Sequence, residues 1–128
     1  MDILVVDLAR VLDETVRGQR ASAELKSDFT AAREKLEGLR AQAKSATGAL
    51  QKTATEELQK FERASLTALD EKKVALREQL LNDVRGIVDD LRKQAGASFV
   101  LDASAVVLAP KESDITEQVI AQLDARAR

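Results

Sequence analysis

LKSDFTAAREKLEGLRAQAKSATGAL, residues 25–50, decides the architecture of this 128-residue chain. Within it Leu25, Phe29, Ala32, Leu36, Leu39, Ala43, Ala46 and Leu50 recur at alternating steps of four and three. That spacing draws one apolar stripe along a long helix, and such a stripe needs a second helix to cover it. The cover lies downstream, where Leu58, Phe61, Leu66, Leu69, Leu76, Leu80, Val84, Ile87 and Leu91 form a less regular seam. Lys73 occupies one position of that seam, where its long stem can lie on apolar surface with the charge in water. Gly48 suits the end of a helix, and Thr53 with Glu56 has the spacing of a capping box, so the turn is expected between residues 47 and 54. The result is a long antiparallel coiled-coil hairpin with limbs of roughly 30 to 40 residues, about 45 to 60 Å each. Alanines in the seam bury little area, so bending and splaying are expected of it.

Working outward, apolar runs bracket the hairpin. Ile3-Leu4-Val5-Val6 reads as an opening strand, and Asp7 as the N-cap of a short amphipathic helix over residues 8–17 built on Leu8, Val11, Leu12 and Val16. Gly18 reads as a bend or cap after it. The second long helix is expected to end near Gly96. Phe99-Val100-Leu101 and Ala105-Val106-Val107-Leu108 then read as a β-hairpin turning at Asp102-Ala103-Ser104, and Pro110 stops the ladder. Asp114 and Glu117 have capping-box spacing, and Ile115, Val119, Ile120 and Leu123 give a closing helix one apolar face.

The expected fold is therefore α+β and mostly helical. Residues 1–17 and 97–128 make a small three-stranded β body, and residues 18–96 form a helical hairpin arm. So small a body leaves strand edges and apolar faces uncovered in a single copy. Oligomerisation through Ile3, Val5, Val100, Val106, Leu108 and Ile115 is expected, with a closed ring favoured because it removes free edges. Periodicity alone allows rings of more than one size.

Composition narrows the function. Charged residues make up 33% of the chain and aromatics 2%, and there is no His, Cys, Tyr or Trp. Without His or Cys, the usual neutral-pH proton shuttle, thiol nucleophile and zinc or haem ligands are excluded. Acidic neighbours such as Asp13-Glu14 and Asp89-Asp90 point about 100° apart on a helix and cannot face one substrate bond, so no enzyme and no cofactor or metal is expected. The basic pairs Lys72-Lys73 and Arg92-Lys93 lack interleaved aromatics, and the chain is acidic overall at −2, which argues against nucleic acid. The apolar runs fall far short of the roughly 20 residues that span a bilayer. No acidic residue lies between Glu37 and Glu56, whereas Arg40, Lys44 and Lys52 do. The arm tip is thus basic, fitted to solvent on a bland reading and to anionic lipid or an acidic client segment on a functional one.

The ends of the chain resemble the Skp/OmpH family of periplasmic chaperones. The likeness is carried by Phe99 to Val107 followed by Asp114-Ile115-Thr116, by Ile3-Leu4-Val5-Val6-Asp7 with Leu12 at the start, and by Phe61-Glu62 on the returning limb. The resemblance implies a jellyfish-like homotrimer whose arms surround a cavity. It also implies an ATP-independent holdase there for unfolded outer-membrane proteins, with lipopolysaccharide or other anionic lipid as a further partner. The family implies a periplasmic location; no signal peptide is visible, since Met1 is followed at once by Asp2 and a strand, and a cleaved leader replaced by an initiator Met would look the same. The chain departs from the family's strongly basic character, and its arms look shorter by a heptad or two, which implies a shallower cavity. Two rival readings remain, a coiled-coil scaffold that docks one folded partner and a prefoldin-like cytosolic holdase.

Overall fold

The computed structural model describes residues 2–127. The element order is β1 (Ile3–Val6), α1 (Leu8–Glu14), α2 (Val16–Ser45), α3 (Ala49–Ala95), β2 (Phe99–Asp102) and α4 (Thr116–Arg126), with short 3-10 turns at Ala103–Ala105 and Lys111–Ser113. The chain divides into two compact units, Met1–Ala21 with Arg77–Arg128, and Ser22–Leu76.

The first unit is organised around a two-stranded sheet in which β1 and β2 run parallel, Ile3 opposite Phe99 and Val6 opposite Asp102. Leu4, Val6 and Val100 lie on one face and pack with Val11, Leu80, Val84, Ile87, Ile115, Val119 and Leu123. Val11, Ile87, Val119 and Leu123 are fully enclosed. Leu80, Val84, Ile87 and Leu91, which the sequence pattern assigned to the hairpin seam, are thus core residues of this unit.

Side-chain caps define the turns around that core. Asp7 accepts from the Arg10 amide at 3.2 Å and starts α1, as its position suggested. The break after α1 falls at Thr15, three residues before the glycine that seemed to mark it. Thr15 takes extended backbone angles, its hydroxyl donates to the Val11 carbonyl at 2.6 Å, and it accepts from the Gly18 amide at 3.1 Å. One buried hydroxyl therefore closes α1 and opens α2. Gly18 is needed for space: a Cβ there would lie 1.7 Å from the Leu12 carbonyl oxygen. At the end of α3, Gly96 takes φ 68°, and the Ala97 amide returns to the Arg92 carbonyl at 3.0 Å, a Schellman closure. Asp114 accepts from both the amide and the hydroxyl of Thr116, at 2.9 and 2.6 Å, and this holds its carboxyl below the usual carboxylate range. Glu117 does not complete a capping box; it pairs with Arg10.

The closing hairpin expected from sequence does not form within one chain. After β2 the 3-10 turn carries the backbone away, with the Val106 amide bonded to the Ala103 carbonyl, and Val106–Leu108 pairs with no strand among the described residues. Among the described residues the sheet has two strands where three were expected, and it is parallel, because the neighbour that β2 finds is β1. The other edge of β1 is touched, among the described residues, only by a bridge from Val5 to Asp114, with the Ile115 amide donating to the Val5 carbonyl at 2.9 Å.

The second unit is a pair of helical segments joined at residues 46–48. Gly48 takes φ 62°, and its carbonyl accepts from Gln51 and Lys52, so it begins α3 rather than ending α2. Thr53 caps nothing; its hydroxyl donates back to the Ala49 carbonyl inside the helix. Lys72 bonds Glu24 and Asp28, and Lys35 lies over the Phe61 ring, so residue numbers rise on one segment as they fall on the other and the pair is antiparallel. Half-buried positions recur at steps of eleven, Leu25 with Leu36, Asp28 with Leu39, Leu58 with Leu69 and Phe61 with Lys72. An eleven-residue repeat turns at about 3.67 residues per turn, nearer a straight helix than the 3.5 of a strict heptad. For that reason Phe29 and Leu66, seam residues on the heptad reading, turn outward, and Lys72 takes the place assigned to Lys73.

Candidate functional site

Strand parity puts Ile3, Val5, Phe99 and Leu101 on the sheet face opposite the core. Phe99 is 61% exposed, and Ile3 and Leu101 are about two-fifths exposed, at 43% and 40%. Val106, Leu108 and Pro110 border the same face and enclose, with Ile3, Val5 and Leu101, a shallow apolar groove of about 370 Å³. Leu108 is 91% exposed and Val107 entirely so. Parallel sheets are normally covered on both faces, and a two-stranded sheet has little stability alone. Here one face is covered, and no strand among the described residues pairs with the outer edge of β2. These exposed apolar side chains are contiguous, not scattered singly.

The residues expected to assemble copies sort by that geometry. Ile3, Val106 and Leu108 line the open face; Val5 lies at its floor, 7% exposed. Val100 and Ile115 belong to the core side and hold the sheet from behind. Phe99 and Leu101 were missed, although alternation along Phe99-Val100-Leu101-Asp102 separates them from Val100. In the second unit Arg40, Lys44 and Lys52 are all exposed, and none enters an ion pair among the described residues. Leu50, 74% exposed, sits close to them in sequence across the turn.

Other charges are engaged. Hydrogen bonding to Asp28 first, and Glu24 second, raises the Lys72 ammonium above its ordinary range. Asp89 is lowered by Lys93 and then Arg92, and Glu14 by Arg10. Among the described residues no group of His, Cys, Asp or Glu could hold a metal ion, and no helix is long and apolar enough to cross a membrane.

A family model described as outer membrane protein (OmpH-like) matches residues 2–123. The chain belongs to the OmpH-like family. No functionally curated protein sequence matches it. Among solved structures, a crystal structure from Caulobacter crescentus CB15, described as an OmpH-like outer membrane chaperone, is similar over 97% of this chain and 84% of its own. Sequence identity is 20% and the TM-score 0.53, a likeness of fold. This OmpH-like chain is thus mostly helical with a small parallel sheet, as its sequence led one to expect in class if not in strand count.

Proposed function

We propose that this OmpH-like protein is a periplasmic, ATP-independent holdase that keeps unfolded outer-membrane proteins soluble between the helical arms of a homotrimer. The observation that carries the reading is the uncovered apolar face of a parallel sheet, Ile3, Phe99 and Leu101 bordered by Val106 and Leu108, in a chain of this family. Burying that face costs least when identical copies share it, and cyclic closure leaves no edge exposed. The first unit, including α3 from Arg77 onward, then forms the hub, and residues 22–76 supply the arms.

Client capture rests on the helical hairpin. Exposed Phe29, Leu66 and Val74 among many charged side chains offer numerous weak contacts, which restrain an unfolded chain without trapping it. Arg40, Lys44 and Lys52 give the arm tip a cationic end for acidic client segments or anionic lipid. Chemistry on the client is not part of the role; the protein acts by binding.

The test is light scattering from a denatured β-barrel protein diluted out of urea, without nucleotide. Near-stoichiometric trimer is expected to suppress the signal, and unchanged scattering overturns the proposal. Multi-angle scattering on the free protein is expected to give three times 13.9 kDa.

A further inference from the structure

The hairpin unit holds a groove of about 380 Å³ on one side of its helix pair. Its size falls within the roughly 300 to 1,000 Å³ of small-ligand sites. Ala31, Ala32, Ser65 and Ala68 leave it open, and Phe61 and Leu69 supply apolar wall. The charges on its rim are unequal. Lys72 is committed to Glu24 and Asp28. Lys35 enters no ion pair among the described residues; its ammonium stands 4.5 Å from the centroid of the Phe61 ring.

We propose that this groove takes an aromatic side chain of an unfolded client, with Lys35 receiving a carboxylate one residue away from it. The inference rests on the holdase reading and specifies one contact within it. An aromatic ring in the groove meets the Phe61 ring and apolar small residues, and offset or edge contacts between rings add to simple burial. A cation already held over one ring is placed to serve a second ring or an anion beside it. Charge complementarity selects the occupant: Lys72 is shared between Asp28 and Glu24, and Lys35 is the lining charge that enters no ion pair among the described residues, so the charge open to a ligand is positive. Strands of outer-membrane barrels carry aromatic girdles and alternate apolar with polar residues, so their unfolded segments expose aromatic side chains beside polar ones.

The chain has no Trp or Tyr, so indole fluorescence excited at long wavelength reports a ligand alone. The probes are blocked hexapeptides with a central Trp-Glu, Trp-Gln or Leu-Glu, the last by competition. The Trp-Glu peptide is expected to shift to the blue on binding the full-length protein, several-fold more tightly than Trp-Gln and with Leu-Glu competing poorly. Lys35→Gln is expected to erase the preference for Glu and retain Trp binding. Ala31→Leu and Ala68→Leu, at exposed helical positions, are expected to fill the groove and weaken both Trp peptides at least tenfold with unchanged helical circular dichroism. Absence of a blue shift in the wild type, or an unaltered Glu preference in Lys35→Gln, overturns the proposal. Scattering assays on the same proteins keep the two readings apart: a wild type that suppresses aggregation yet ignores the peptides loses the groove alone, and one that fails to suppress it loses the holdase role itself.

Discussion

The Asp124 carboxylate accepts a hydrogen bond from the Val16 amide at 2.8 Å, joining the closing helix to the first turn of α2 across 108 positions of sequence. The amide is one of the four that a helix start leaves without a partner. Asp124→Ala is expected to cost about 1 kcal/mol, the usual worth of a side-chain cap, and Asp124→Asn to cost less. Urea denaturation followed by circular dichroism checks both.

Gly18→Ala places a methyl 1.7 Å from the Leu12 carbonyl oxygen, so the α1–α2 junction has to move. A loss of about 1 to 3 kcal/mol is expected, the range of overpacked cores. Gly38 and Gly86 are helical with nothing within 4 Å of the added carbon, and alanine there is expected to stabilise by about 0.5 to 1 kcal/mol. Thermal melts of the three variants should separate in sign.

Those two junctions show what local sequence chemistry makes legible. Asp7 as a cap, Gly96 at a helix end and the long helices could all be read, because caps and periodicity are encoded within a few residues. The break at Thr15 was displaced to Gly18 since the hydroxyl's two bonds form only after the chain has bent. The sheet was harder. Val106–Leu108 carries strong β-propensity, but pairing is non-local, and β2 is aligned with β1 by a connection that contains both long helices. Val100, expected to help assemble copies, faces the core, while its neighbours Phe99 and Leu101 lie on the open face, since one residue of shift exchanges the two faces. A seven-residue stripe and an eleven-residue one differ little over 25 residues, and so Phe29 was read inward.

Phe99→Lys and Leu101→Lys put charges on the open sheet face and leave the core untouched. If copies meet there, the mass by light scattering is expected to fall toward 13.9 kDa with helix content retained. Val100→Lys is the contrast, since it buries charge against the core and is expected to unfold the first unit.

Acid is expected to loosen the Asp114–Thr116 corner. A carboxyl held below its ordinary pKa in the folded state stabilises fully at pH above about 4, and that contribution disappears as pH falls through the lowered folded value. Asp114→Ala should be less stable at pH 7 and show a shallower decline between about pH 5 and 2 than the wild type, measured by chemical denaturation across that range.

Lys72→Glu converts the one cation shared by Glu24 and Asp28 into a third carboxylate. Amide hydrogen exchange is expected to accelerate across residues 22–76, with little change in the core amides of the first unit. Equal acceleration in both units would show that the ion cluster does not act locally.

Ile3 and Phe99 are partners in register, yet 96 residues separate them. The first strand cannot pair until that distant mate reaches it, and so non-local a contact closes late. The helical segments between can pair long before then, because their contacts close early. Folding therefore runs from the middle outward, and β1 stays an unpaired apolar liability until β2 arrives; chains truncated after Gly96 should be cut at β1 by protease and full-length ones spared.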